Sequence, residues 1–157
     1  MSFTLNRRQS ITLQLICRQL NRVRRDKREV SQFCQFIGGE GGTGKSHVIE
    51  TLAALFASKG ISHRLLVTVT SGTAAARING ITIHLACNFL KDTTLCVGGY
   101  KAVDGIRPSS TSDLYINGQT RMDWQEKWLL IIDEVSMLGA WILFAVNEWL
   151  CKLWGCV

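Results

Sequence analysis

Between residues 9 and 27 apolar side chains recur every three or four positions, at Leu13, Ile16, Leu20 and Val23. That period predicts an amphipathic helix, and Arg18, Arg22 and Arg25 fall on its opposite face. Phe33–Ile37 is a short β-prone run, read as a buried parallel strand. A second helical stripe follows at Val48, Ile49, Leu52, Ala53 and Phe56, with Gly60 placed as its C-cap. Arg64–Thr70 reads as the next strand, so strand, helix and strand make the βαβ unit of an α/β domain. Trp128–Ile132 is a third strand, five apolar residues long, and Asp123–Lys127 forms one helical turn ahead of it. Ser136–Leu153 then predicts a helix burying Leu138, Trp141, Ile142, Ala145, Trp149 and Leu150. Lys91–Gln119 lacks any period and holds Gly98-Gly99, Pro108 and a Ser109–Ser112 hydroxyl run. It reads as a long surface loop or insertion, without a repeat or a second domain.

Composition narrows this picture. At 157 residues, one domain is the prior, large enough to bury a core. Charged residues are 19% and hydrophobic ones 46%, a globular rather than a disordered balance. The net charge of +6 is unevenly spread. Residues 1–30 hold eight Arg and Lys against Asp26 and Glu29, and the remainder is neutral. The arginine face of the first helix could meet nucleic-acid phosphates, although a solvated face is the commoner explanation. An Arg-rich amphipathic N-terminus also resembles a mitochondrial presequence.

The six cysteines form no C-x-x-C pair, which argues against zinc. Most sit in apolar runs, where reduced cysteine acts as a small hydrophobe, and this suggests a reducing compartment. Ile11–Cys17 is interrupted by Thr12 and Gln14, so no signal-peptide core is visible. Met137–Val146, the longest charge-free apolar run near the C-terminus, is too short to span a bilayer. No membrane role is expected.

The most informative stretch is Gly38–Ser46, which fits G-x-x-x-x-G-K-[ST] from Gly39 onward. Gly39, Gly41, Gly42, Thr43 and Gly44 let successive N–H groups point into one concavity, and the following helix adds its positive dipole end. Lys45 reaches the β- and γ-phosphates, and the Ser46 hydroxyl ligates Mg²⁺. This loop predicts a nucleoside triphosphate site. The second informative stretch is Asp133-Glu134, two carboxylates ending an apolar strand some ninety residues later. Asp133 suits Mg²⁺ held through its water shell, and Glu134 suits orienting or deprotonating the attacking water. Ser71–Phe89 places small residues and hydroxyls at a strand's C-terminal end, the edge where open α/β sheets hold ligands. His84 is the notable side chain there, and a lone His is more often structural than functional. Leu5–Gln9 is too short to interpret from physics alone.

Taken together, these residues resemble the start of a superfamily-one 5′-to-3′ DNA helicase of the PIF (petite integration frequency) type. They are most like its fungal copies, some of them carried in rolling-circle transposons. Leu5-Asn6-x-x-Gln9 is similar to the adenine-reading Q motif. GGEGGTGKS resembles motif I, SGTAAARINGITIH motif Ia, and IIDEVSML motif II. The resemblance covers nearly the whole chain, and motif Ia together with DEVSM is far more specific than the glycine loop.

The resemblance implies a P-loop NTPase, α/β in class, with a partial RecA-like parallel sheet and flanking helices. It implies that Gln9 reads adenine and that Lys45, Ser46, Asp133 and Glu134 serve ATP and Mg²⁺. Thr73 and His84 would lie beside single-stranded DNA, with a duplex carrying a 5′ tail as the natural substrate. It implies an ATP hydrolase acting as a monomer in DNA repair, recombination and telomere maintenance, in the nucleus or the mitochondrion. Leu85 departs from the pattern, which has serine after the histidine. Such helicases continue past motif II with a Gly-rich sensor strand, a second RecA-like domain and an arginine finger. Residues 1–157 are therefore expected to be a partial N-terminal RecA-like domain, inactive by itself, with the phosphate-loop strand lacking its neighbour. A non-catalytic nucleotide-binding remnant and another kind of P-loop ATPase are the alternatives.

Overall fold

The computed structural model describes residues 4–25, 33–89, 116 and 118–155. The loop reading of residues 91–119 falls almost wholly outside the described residues, as do Cys96 and Cys156. The chain divides into two compact units, Met1–Leu65 and Leu66–Val157.

The first unit holds two helices in contact, α1 (Arg7–Arg25) and α2 (Lys45–Ser58), followed by a 3-10 turn at Ser62–Arg64. Helix α1 buries Ile16 and half-buries Leu13, Leu20 and Val23, the stripe its period predicts. Helix α2 buries Val48, Ile49, Leu52 and Phe56, whereas Ala53 of the predicted stripe is exposed. Gly60 takes the left-handed φ of 68° expected of it. Its N–H reaches Ala57 O at 3.0 Å, and the Ile61 N–H reaches Phe56 O at 3.0 Å. This paired return satisfies carbonyls that the helix end would otherwise leave open.

The predicted strand at Phe33–Ile37 does not form. Phe36 is 79% exposed, and Phe33 and Ile37 are exposed as well. A strand needs a ladder partner for its N–H and C=O groups. Among the described residues this run has none, so its β-prone side chains fail to organise it.

The second unit is built on a three-stranded sheet in the order β2-β1-β3. Its strands are β1 (Leu65–Val69), β2 (Ile81–Thr82) and β3 (Leu129–Ile132). Helix α3 (Gly72–Arg77) carries the chain from β1 to β2, which pair in parallel with Thr68 opposite Ile81 and Val69 opposite Thr82. The βαβ unit is thus β1-α3-β2, and not the predicted one through the phosphate loop. Helix α4 (Ile83–Ala86) follows β2 directly, and α5 (Gly118–Gln125) precedes β3 where a single turn was expected. Thr68 ties the centre of the sheet. It is fully buried, its hydroxyl donates to Ile131 O at 2.8 Å, and its carbonyl accepts the Asp133 N–H at 2.8 Å.

Helix α6 (Ala140–Trp154) closes the core with Ala145, Val146, Trp149 and Leu153. Trp149 meets Trp124 of α5 edge-on, ring centres 4.6 Å apart, and Ile83, Cys87 and Phe89 complete the cluster. Trp141, expected inside, is 52% exposed and lies against Phe144. It sits about 80° around the helix from Trp149, at ~100° per residue, and so beyond the edge of the apolar stripe.

Cys87 is buried, and burial pushes its thiol up to about 12 from an ordinary 9.0. Cys34 is exposed, unlike the buried small hydrophobe its apolar run suggested. Because the thiolate is the reacting form, iodoacetamide at pH 8 should label Cys34 in the native protein and leave Cys87 unmodified until urea is added. Equal native labelling of both, read by peptide mass spectrometry, would contradict the burial assigned to Cys87.

Candidate functional site

In the first unit the glycine-rich loop runs into the N-terminus of α2. Gly42 and Gly44 take positive φ values of 76° and 80°, and Gly44 is the N-cap without any side-chain cap. The first turn of α2 carries no acidic residue, so its open N–H groups and dipole are left to an anion. Lys45 folds back over the loop, its ammonium donating to Gly39 O at 2.7 Å and Glu40 O at 2.9 Å. An ammonium has three donors, so one remains for a phosphate oxygen. The Thr43 hydroxyl also donates to Glu40 O, at 2.8 Å, closing the loop on itself. Gly41 has no neighbour near the position of a Cβ, and Ser46 is exposed on the first turn of α2.

Gln9 belongs to this loop. Its side-chain amide donates to Thr43 O at 3.3 Å and Gly44 O at 3.2 Å. Its side-chain oxygen accepts the Asn6 N–H at 2.9 Å, and the Asn6 side chain accepts the Gln9 N–H at 2.9 Å. Asn6 and Gln9 therefore form a reciprocal capping box at the start of α1. A Cβ on Gly44 would collide with the Gln9 amide nitrogen, so glycine is required there both for its backbone angle and for this contact. The strut from Gln9 to the loop was not legible from Leu5–Gln9. The N-x-x-Q spacing before a helical stripe was the signal for its capping half.

Each net hydrogen bond contributes about 0.5–1.5 kcal/mol. Gln9→Ala, which loses two to the loop, should speed amide exchange across Thr43–Ser46 by roughly 5–150-fold. Unchanged protection in hydrogen-exchange mass spectrometry would show that the strut carries no load.

In the second unit β3 delivers Asp133 and Glu134. The Asp133 carboxylate accepts the Glu134 N–H at 2.9 Å, and Glu134 takes a φ of 55°. A non-glycine residue in that region is uncommon and costs of order 1 kcal/mol. The turn aims the half-buried Asp133 and the exposed Glu134 differently from the strand behind them. Thr70, one residue beyond β1, places its hydroxyl 3.5 Å from the Glu134 carboxylate. No sequence signal pointed to Thr70, because its partner is 64 residues away.

Ser71 caps α3 by accepting the Ala74 N–H at 3.2 Å, and its hydroxyl lies 3.2 Å from that of the exposed Thr73. His84 is half-buried on α4, edge-on to Phe89 at 6.3 Å, and Leu85 beside it is 57% exposed. α3 and α4 both pack on β2. Gln9 and the phosphate loop thus assemble in one unit, and Thr73, His84, Asp133 and Glu134 in the other.

A glycine loop of this geometry opening a helix, with a strand ending in paired carboxylates, defines a P-loop nucleoside triphosphatase. The chain belongs to the AAA domain family, whose pattern matches residues 24–151. The chain is similar to the ATP-dependent DNA helicase PIF7 of Trypanosoma brucei brucei, 34% identical over 125 residues. That alignment covers 77% of this chain and 11% of the relative. The ATP-dependent DNA helicase PIF1 of Candida albicans is 29% identical over 122 residues, covering 78% and 12%. The ATP-dependent DNA helicase RRM3 of Saccharomyces cerevisiae is 30% identical over 115 residues, covering 72% and 14%. These matches bear out the resemblance to PIF-type helicases. The chain spans 11–14% of the length of these curated relatives.

Proposed function

We propose that this chain is the N-terminal ATP-binding part of an ATP-dependent DNA helicase of PIF type, coupling ATP hydrolysis to DNA unwinding. The observation that carries the reading lies in the second unit. Strand β1, which leads into Ser71 and Thr73, is the direct neighbour of β3, which leads into Asp133 and Glu134. Thr70 touches Glu134 across that join. A segment suited to nucleic acid therefore abuts the carboxylate suited to activating water.

In this reading Gly39, Gly41, Gly42, Thr43 and Gly44 supply backbone N–H groups to the phosphates, and Lys45 adds its remaining donor. Gln9 reads the adenine once its amide leaves the Thr43 and Gly44 carbonyls that hold it here. Ser46 and Asp133 offer a hydroxyl and a carboxylate oxygen, the hard donors that Mg²⁺ takes. Mg²⁺, when bound, neutralises phosphate charge. Glu134 orients and deprotonates the attacking water. Thr73 and His84 contact single-stranded DNA, the 5′ tail of a partly duplex substrate. The protein acts as a monomer in DNA repair, recombination and telomere maintenance, in the nucleus or the mitochondrion.

The test is thermodynamic coupling. If the two activities belong to one machine, an unlabelled single strand should change the affinity for Mg·ATP, and Mg·ATP should change the affinity for the strand by the same factor. A factor of about 5–150 is the usual range for such coupling. Mg·ATP binding that ignores DNA altogether would instead favour another kind of P-loop ATPase.

A further inference from the structure

Helix α1 carries Arg7, Arg8, Arg18, Arg22, Arg24 and Arg25 without one acidic residue. The apolar side of the helix is taken up by the first unit, with Ile16 buried. Arg18, Arg22 and Arg25 share one outward stripe at i, i+4 and i+7. With Asn21 they line a concavity of about 280 Å³, and among the described residues none of the three is ion-paired. The helix dipole favours cations near the C-terminal end, which accounts for a basic last turn. It does not account for the alignment of three like charges, which repel at this spacing, nor for Arg18 a turn earlier.

We propose that Arg18, Arg22 and Arg25 form a phosphate-binding face for a single nucleic-acid strand, additional to the edge at Thr73 and His84. The proposal rests on the DNA reading given above. Seven residues of helix rise roughly 10 Å at ~1.5 Å each, the axial length of about three nucleotides of a strand stacked as in a duplex, at ~3.4 Å each. Three guanidinium groups therefore meet about three successive phosphates, each able to take a forked pair of hydrogen bonds. The Asn21 amide sits between them as a further donor. Such contacts read backbone rather than sequence, so the face would hold a strand without choosing one. A lipid surface fits less well, because an interfacial helix needs its apolar face free to enter the bilayer.

The experiment measures binding of a fluorescein-labelled oligothymidylate to the whole chain by anisotropy, across a salt series. The wild type is compared with a triple variant, Arg18→Gln, Arg22→Gln and Arg25→Gln, and with the corresponding triple Lys variant. Single strands release counterions with a slope of about 0.7 per phosphate neutralised. The Gln variant should therefore lose about 2 from the slope of log K against log salt, while the Lys variant keeps it. Circular dichroism of all three confirms that α1 is intact. An unchanged slope in the Gln variant overturns this face and leaves the DNA reading standing. Failure of the wild type to bind the strand at any salt overturns the DNA reading itself. Binding of phosphatidylserine vesicles, lost in the Gln variant and without any strand binding, would assign the face to a membrane surface and overturn the proposal.

Discussion

Trp149→Ala should cost about 3–5 kcal/mol, the largest stability loss expected of any single substitution in the second unit. Trp149 is only 1% exposed and stands at the centre of the cluster that joins α4, α5 and α6. Alanine removes the whole indole and the edge-on contact with Trp124 at 4.6 Å, a pairing worth ~0.5–1.5 kcal/mol beyond its buried area. Domains of ordinary stability hold about 5–15 kcal/mol in total, so the variant should be largely unfolded under mild conditions. Trp141→Ala is the matching control, on the same helix but half exposed. Surface changes usually stay within about 0.5 kcal/mol. Urea unfolding followed by circular dichroism checks both. Equal costs at 141 and 149 would mean that α6 is rotated from the orientation described.

The α/β class, both long helices of the first unit and strands β1 and β3 were readable from periodicity, whereas the two-residue β2 (Ile81–Thr82) was too short to show one. Two of the misreadings show why local sequence falls short. At Phe33–Ile37 the composition is β-prone, but ladder formation depends on a partner strand, and local sequence carries no information about that partner. At Trp141 a period-based reading admits both tryptophans of α6, because side-chain type outweighs the 80° that separates them. The core selects Ala145, Val146, Trp149 and Leu153 by angle rather than by size.

The candidate site divides along the same line. Residues whose placement depends on chain-local geometry were legible: the glycines, Lys45 and Ser46 at a helix start, and Asp133 and Glu134 at a strand end. Residues that act across the chain were not. Gln9 reaches loop carbonyls 34 and 35 residues away, and Thr70 reaches Glu134. The likeness of Leu5-Asn6-x-x-Gln9 to a Q motif marked Gln9 but not its hold on the loop carbonyls, and nothing marked Thr70.

Lys45→Ala should weaken Mg·ATP binding by about 10–100-fold, the second large effect. A charge-assisted hydrogen bond contributes ~1.5–3 kcal/mol, and each 1.4 kcal/mol is about tenfold in affinity. The structure adds a second cause of the same sign. The ammonium also holds the carbonyls of Gly39 and Glu40, so alanine loosens the loop as well as removing its charge. Glu134→Gln touches neither effect, because that carboxylate is assigned to water and not to the phosphates.

The most direct measurement is isothermal titration of Mg·ATP into the wild type, Lys45→Ala and Glu134→Gln. The account predicts binding by the wild type, binding of similar strength by Glu134→Gln, and loss of about 10–100-fold in Lys45→Ala. Equal affinity for the wild type and Lys45→Ala would contradict the assignment of Gly39–Ser46 as a phosphate-binding loop.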